Sequence, residues 1–294
     1  MATGAVECLA QQYPEFQISV SGTASQHIFQ NNPHVSIHPR GRNIRMENPL
    51  INDCDKRQVH FLESYCHHLS RVLKINLQCN VRKPYLYLSA VERSWKNQVA
   101  ETGWKDKFWL INAGWKDDYT VKKWRPEYWQ EVVNHFQGKI KFVQVGKSEH
   151  NHPELKGVIN FIDKTCTRQL IRLCYHAQGV LTGESFLHHI AAALEKPAVT
   201  LVSGFLPVSW VTYPTGVILS RQTAMSCTQG RGCCWKSRVV PLGDGDSKDY
   251  SRCVKPVDGT ALCMDMIQPV EVIRAVESFF NGGRVPSKAF DNPF

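Results

Sequence analysis

Hydrophobic and polar positions divide the second half of the chain into alternating strands and helices. Short apolar runs, typical of buried strands, lie at 108–112, 140–145, 179–181, 198–202 and 217–219. Patterns with the helical period lie at 126–136, 165–176 and 269–280, and one further helix begins near Ser185 and ends before Pro197. This alternation predicts an α/β fold with a doubly wound parallel sheet.

The first third of the chain has weaker patterns of the same kind. Helices are predicted at 2–12 and 60–73, and strands at 16–20, within 32–37 and at 84–88, where the last strand leads into a helix start at 89–92. The polar stretch 40–56 has no clear period and is predicted to be a loop. Strands and helices therefore alternate in this part as well.

The stretch 179–204 carries the most specific signal. Its first strand ends in the polar turn Gly183-Glu184-Ser185, which caps the following helix, and its second strand ends at Ser203-Gly204. Strand, helix and strand make one βαβ unit, and the turn lies at the sheet edge where α/β proteins bind ligands. Because a helix N-terminus offers free N–H groups, this turn suits a phosphate or a diphosphate.

Composition limits the class of protein. The 294 residues are 43% hydrophobic and 21% charged, which is typical of a globular chain with a sizeable core. No apolar run approaches the ~20 residues of a bilayer span, and the first residues lack the pattern of a secretory signal. A net charge of +9 favours anionic partners, such as nucleotide diphosphates or acidic lipid surfaces. Nucleic acid is the weakest candidate, because no Lys/Arg-rich block is interleaved with aromatic residues.

The eleven cysteines fall into two groups. Without an export signal, six scattered ones are predicted to be reduced, mostly buried thiols of a cytosolic protein: Cys8, Cys54, Cys66, Cys79, Cys166 and Cys174. Five lie in a polar, Gly-containing loop at 223–265, where a tetrahedral zinc or iron site could be formed by Cys227, Cys233, Cys253 and Cys263. Their spacing is not a pair of Cys-x-x-Cys knuckles, so a metal site and a set of reduced thiols both stay open.

The residues after the turn resemble the donor-binding segment of glycosyltransferase family 9, the ADP-heptose:lipopolysaccharide heptosyltransferases. That segment has an acid, a Ser or Thr, a Gly, a His three residues further on, and a run of small residues. The matching positions are Glu184, Ser185, Phe186, His189 and 191–193. The resemblance implies that Glu184 holds ribose hydroxyls or the sugar, unless it only satisfies free helix amides, and that His189 neutralises a phosphate. Phe186 stands where the family prefers Gly, which hinders close backbone approach to a phosphate.

A second stretch of the same resemblance follows the strand at 108–112. The family has a glycine, a loop, a lysine two residues before a tryptophan, and a helix that starts near a proline. Gly114, Lys122 and Trp124 match, with Lys123 as the alternative lysine. The resemblance implies that this lysine pairs with the donor phosphate.

Two further glycines are expected to shape the pocket for the base and ribose, because they end strands at the same sheet edge: Gly146 and Gly204. The two parts of the chain together resemble, over most of its length, the GT-B architecture of two Rossmann-like domains, with an incomplete acceptor-side domain at 1–97. Residues 98–294 would form the nucleotide-sugar-binding domain with the Cys-rich loop. Family members begin with a strand and a Gly-Asp pair whose Asp is the general base, and this pair has no counterpart here. A fragment or mis-assigned start, a degenerate binding relative, or another carboxylate such as Glu7 would explain this, so no catalytic residue is assigned.

The resemblance implies a glycosyltransferase that moves a heptose from ADP-heptose, with inversion, to a lipopolysaccharide or another surface glycan. No metal is required for transfer, although a structural zinc or iron in the Cys-rich loop fits related protein-modifying heptosyltransferases. A non-catalytic nucleotide-sugar-binding relative and a protein-modifying enzyme remain the alternatives. The expected partners are a nucleotide-sugar donor and a glycan or glycolipid acceptor, in the cytoplasm, with peripheral contact at the inner face of the inner membrane and no nucleic acid.

Overall fold

The first part of the chain forms a small α/β unit. The computed structural model describes residues 1–36, 41–46, 58–95, 97–243 and 252–280. The opening elements are α1 (Ala2–Gln12), β1 (Ile18–Ser19), α2 (Thr23–Phe29), β2 (Val35–Ser36) and α3 (Phe61–Leu73). Strands β1 and β2 pair in parallel, and α1 packs against α3 around a small apolar core. Of the predicted loop at 40–56, only 41–46 lie within the described residues.

The second part is built on a parallel sheet of six strands. Its elements are α4 (Ala90–Ser94), α5 (Gln98–Glu101), β3 (Phe108–Asn112), α6 (Pro126–His135), β4 (Lys141–Gly146), β5 (Ile159–Ile162), α7 (Thr167–His176), β6 (Gly179–Gly183), α8 (Phe186–Ala193), β7 (Ala198–Val202), β8 (Gly216–Ser220), β9 (Pro256–Val257), β10 (Thr260–Ala261), α9 (Leu262–Asp265) and α10 (Pro269–Ser278). The strand order is β5-β4-β3-β6-β7-β8, and every pair is parallel. The predicted doubly wound parallel sheet is thus confirmed.

Both faces of this sheet are buried, which explains why its strands are continuous apolar runs. Side chains alternate between the faces along β3, so that Trp109 and Ile111 pack with α6 and α10, whereas Phe108 and Leu110 pack with α7 and α8. Helices on both faces leave only the two sheet edges and the strand ends for binding. Within the described residues, no helix is long and apolar enough to cross a bilayer.

Three local predictions differ from the structure. The stretch 84–88 was predicted as a strand but pairs with no neighbour, and its Tyr85 N–H donates instead to the Thr3 hydroxyl at 3.1 Å. Helix α2 and strand β5 were not predicted, and β5 is interrupted by the polar Asn160, which hides its period. The domain boundary at 97/98 stays a prediction, although Leu88 already packs against the core on one face of the six-stranded sheet.

A buried ion pair between α4 and α7 also reaches back to the first part of the chain. Arg168 on α7 donates through Nε and Nη2 to the two carboxylate oxygens of Glu92 on α4, at 2.6 and 2.7 Å. The same guanidinium donates to the carbonyls of Tyr87, at 2.6 Å, and His27, at 3.2 Å. Both charged residues are less than a tenth exposed, so neither charge has water as an alternative partner.

We expect Glu92→Ala to lower the free energy of unfolding by about 3–5 kcal/mol, because it leaves the Arg168 charge buried without its partner. Urea denaturation of the purified protein measures this loss. The double variant Glu92→Ala with Arg168→Met should recover part of it, whereas Glu101→Ala, an exposed carboxylate, should change little. A Glu92→Ala protein as stable as the wild type would contradict the role given to this pair.

Candidate functional site

The crevice between β3 and β6 brings two predicted site residues together. These central strands lie side by side, and the strands that follow them in the chain, β4 and β7, lie on opposite sides of the pair. The carboxyl ends of β3 and β6 are therefore the topological switch point, where open α/β sheets bind ligands. Lys122 ends the short 3₁₀ helix Asp117–Lys122 after β3, and Glu184 directly follows β6. Lys122 Nζ lies 2.5 Å from Glu184 Oε2 and 3.4 Å from the Glu184 carbonyl oxygen. Two segments that are 62 residues apart thus form one ion pair.

Lys122 is also held by aromatic rings, and its neighbour Lys123 is not part of this arrangement. The Lys122 ammonium lies 5.1 Å from the Tyr119 ring centre and 5.9 Å from that of Phe205. Lys123 instead lies over Trp115, at 5.3 Å. Of the two lysines that the sequence leaves as alternatives, Lys122 is therefore the one beside Glu184.

The Glu184 carboxylate is buried and charged. Burial alone would raise its pKa, but the ammonium of Lys122 and the hydrogen bond to His189 together lower the pKa well below its usual range. The distance from His189 Nε2 to Glu184 Oε1 is 3.5 Å. Glu184 side-chain oxygens therefore face Lys122 and His189.

Histidine and tyrosine rings continue this network. His189 Nδ1 is 2.9 Å from the Tyr213 hydroxyl, and burial lowers the pKa of His189, which favours its neutral form. The His60 ring, at the start of α3, lies edge-on to Tyr213 at 4.9 Å. Sequence analysis missed Tyr213 and His60, because neither stands in a recognisable motif. Through His60, the first part of the chain reaches the site.

The N-terminus of α8 is open to an incoming group. Ser185 precedes the helix but forms no cap hydrogen bond, and its hydroxyl lies 3.0 Å from that of Thr182. An added Cβ on Gly183 would meet nothing within 4 Å, so space is free above the turn. Phe186 is 44% exposed at the rim. The first backbone N–H groups of α8 can therefore donate to a bound anion without displacing a side-chain cap.

The space over Gly114 and Gly146 contains the ring of His152, which sequence analysis did not select. A Cβ on either glycine would overlap the imidazole, and Gly146 has a φ of +153°. Neither nitrogen of this ring has a hydrogen-bond partner among the described residues. Burial lowers the pKa of His152 to about 4, so the ring is neutral and offers one donor and one acceptor. Gly114 and Gly146 thus leave room for a polar ring at the strand ends.

Gly204 lies against the cysteine loop. Its N–H donates to Cys263 Sγ at 3.3 Å, and its carbonyl accepts from the Cys234 N–H at 2.7 Å. Cys233 is disulfide-bonded, whereas four thiols are free: Cys227, Cys234, Cys253 and Cys263. Burial above all, with smaller contributions from the charges of Cys227, Cys263 and Cys253, raises the pKa of Cys234 to about 12. Because Cys233 is disulfide-bonded, Cys234 takes its place among the predicted metal ligands, but no three of these loop thiols lie within 4.8 Å of one another, so binding an ion would require them to move closer together.

The parallel sheet, the uncapped start of α8 and the Lys122–Glu184 pair fit a glycosyltransferase of the GT-B class. The sequence matches glycosyltransferase family 9 (heptosyltransferase) over residues 50–233. The chain belongs to this family and is a glycosyltransferase. No curated protein matches it significantly.

Solved structures of this class share the fold along nearly the whole chain. A family 9 glycosyltransferase from Veillonella parvula is 14% identical with a TM-score of 0.64, and the match covers 96% of this chain and 93% of that one. The E. coli ADP-heptose lps heptosyltransferase II is 13% identical with a TM-score of 0.57, covering 96% and 94%. The iron-containing dodecameric glycosyltransferase TibC of enterotoxigenic E. coli is 15% identical with a TM-score of 0.59, covering 95% and 73%.

His188 lies on α8 beside the site residue His189 and is buried. Its burial predicts how the stability of the protein depends on pH. Its Nε2 lies 2.7 Å from the Val211 carbonyl and its Nδ1 2.8 Å from the Thr200 hydroxyl, and burial lowers its pKa from the ordinary 6.5 to about 3. Between pH 6.5 and about 3, His188 is therefore protonated in the unfolded chain but stays neutral in the folded chain. We expect the free energy of unfolding to fall on acidification from pH 6.5 towards 3, with His188 contributing up to about 1.4 kcal/mol per pH unit.

Urea denaturation at several pH values checks this expectation. His188→Gln should have a shallower pH dependence than the wild type, whereas His67→Gln, at an exposed position, should keep the wild-type slope. Equal slopes for His188→Gln and the wild type would contradict the assignment.

Proposed function

We propose that this glycosyltransferase transfers a heptose from ADP-heptose, with inversion, to a lipopolysaccharide or another surface-glycan acceptor. The observation that carries the proposal is the meeting of Lys122 with Glu184 beside the uncapped start of α8. Two of the neighbouring solved structures support the donor: one is an ADP-heptose lps heptosyltransferase, and TibC was solved with ADP-D-beta-D-heptose. The acceptor and the cytoplasmic, membrane-associated location stay predictions.

The chemistry of transfer requires positive charge where the diphosphate leaves. As the acceptor hydroxyl attacks the anomeric carbon, the bond to the diphosphate breaks and negative charge grows on its oxygens. Lys122 and the amides of α8 would stabilise that charge, while Glu184 and His189 would hold sugar or ribose hydroxyls. Lys122 keeps 24% of its side chain exposed, so it can reach a phosphate while it stays beside Glu184. His152, with both ring nitrogens free of described partners, is our candidate for a base or ribose contact.

Lys122→Ala tests the donor site. We expect its affinity for ADP-heptose to fall roughly 10- to 100-fold, because a charge-assisted hydrogen bond to phosphate is lost. Lys123→Ala is the matched control and should bind as the wild type does, because Lys123 lies over Trp115. Calorimetric titration with ADP-heptose and, in parallel, with UDP-glucose measures both affinity and donor choice.

Two results would sink this proposal. Equal affinity of Lys122→Ala and the wild type for ADP-heptose would remove Lys122 from the site. Tighter binding of UDP-glucose than of ADP-heptose would reject the donor. Transfer to a purified lipopolysaccharide acceptor, followed by mass spectrometry, separates a surface-glycan enzyme from one that modifies proteins.

A second candidate function, a protein-modifying heptosyltransferase with a bound metal, is favoured by the cysteine loop. We propose that Cys227, Cys234, Cys253 and Cys263 hold one structural zinc or iron ion, as the iron content of TibC suggests. The ion would not take part in transfer. It would fix the loop, whose Trp235 ring stacks on Phe205 at 4.8 Å, and Phe205 in turn packs against Tyr119 beside Lys122.

Metal analysis of the purified protein tests this site. We expect Cys253→Ser to lose about one ion of zinc or iron per chain relative to the wild type. Cys166→Ser, at an exposed position outside the loop, should keep the wild-type content. A wild-type metal content in Cys253→Ser would contradict the assignment.

A further inference from the structure

Three cysteines far from the loop converge in the first part of the chain. Cys8 lies on α1, Cys66 on α3, and Cys79 in the segment that follows α3. Their sulfur atoms all lie within 4.8 Å of one another. Neither the family resemblance nor the proposed transfer reaction uses them.

The surroundings of these three thiols are those of a soft ligand set. Cys8 and Cys66 are fully buried among apolar side chains of α1 and α3, whereas Cys79 is partly exposed and leaves a path for a small solute. Sulfur ligands that are buried among apolar groups, with one side open, suit a soft, thiophilic cation.

The spacing distinguishes a metal site from a disulfide. Three sulfur ligands at ~2.3 Å from one zinc ion lie about 3.8 Å apart, which requires only a small inward movement from the observed arrangement. A disulfide would use two of the sulfurs and leave the third without a role. All three come from different segments, which is the pattern that a shared ion explains best.

We propose that Cys8, Cys66 and Cys79 form a second metal site, for one thiophilic divalent cation such as Zn²⁺. Three S–H bonds break and three metal–sulfur bonds form, so binding releases three protons to solvent. The ion links α1 to α3, whose shared apolar core is small. It therefore stabilises the first part of the chain, in which His60 caps the start of α3.

Alkylation followed by mass spectrometry of each cysteine peptide tests this site separately from the loop. With one equivalent of Zn²⁺ beyond what the loop retains, we expect Cys79 to react with N-ethylmaleimide roughly tenfold more slowly than in chelator-treated protein. Cys166, which is exposed and isolated, is the internal control and should react equally in both samples. In Cys66→Ser, the protection of Cys79 by Zn²⁺ should disappear.

The wild-type comparison decides the proposal even if Cys66→Ser fails to fold. Equal alkylation of Cys79 with and without Zn²⁺ would overturn it. A disulfide between two of the three cysteines would also overturn it; it would be detected as a linked pair of peptides whose mass is two hydrogen atoms below the sum of the reduced peptides. The outcome is independent of donor binding, since none of these cysteines contacts Lys122 or Glu184 in the structure.

Discussion

The side-by-side placement of β3 and β6 is the constraint on which the site depends. In a parallel sheet all carboxyl ends meet at one edge, and here the connections from the two central strands diverge, which leaves a crevice that neither connection fills. Lys122 and Glu184 can meet only because their strands are neighbours in the sheet. A different strand order with the same local sequence would place the lysine and the carboxylate apart and would remove this ion pair from the sheet edge.

Holding this ion pair in a partly buried crevice has a physical cost, which the surroundings offset. Desolvation penalises both charges, and the carboxylate stays ionised because Lys122 and His189 face it. In the same low-dielectric crevice, an arriving diphosphate would find a cation already oriented and helix amides not yet capped. Under the proposed function, the pair holds a cation in place for the donor's diphosphate, since apolar residues in its place would fill the same space without that charge.

Much of the fold was predictable because its signals are local. Strands buried on both faces are continuous apolar runs in the sequence, and Pro197 and the turn at Glu184 mark the ends of a helix. Of the six strands in the sheet, the sequence therefore failed to predict only β5. Residues that act through tertiary contact were not predictable: Tyr213, His60 and His152 come from segments with no motif. Sequence spacing also could not choose between Cys233 and Cys234, because adjacent side chains leave the backbone in different directions and only the fold shows which one is disulfide-bonded. The stretch 84–88 has the pattern of a strand but no sheet edge to pair with.

The cysteine loop packs directly against the crevice that contains Lys122. Backbone hydrogen bonds from Cys234 and Trp235 to Gly204 and Phe205 extend the end of β7 into the loop, and the stacked Phe205 and Trp235 rings support the side of the crevice where Lys122 lies. Buried apolar side chains of the loop, among them Met225, Val239 and Met264, join the core cluster on this face of the sheet and help to hold this wall. If the loop thiols hold a metal as proposed, a disturbance of them would reach Lys122 through the Trp235 and Phe205 rings. Gly204 lies against the same loop: an added Cβ would be 3.3 Å from Thr228 Cγ2, which is a tight contact, and 3.6 Å from the sulfur atoms of Cys234 and Cys263.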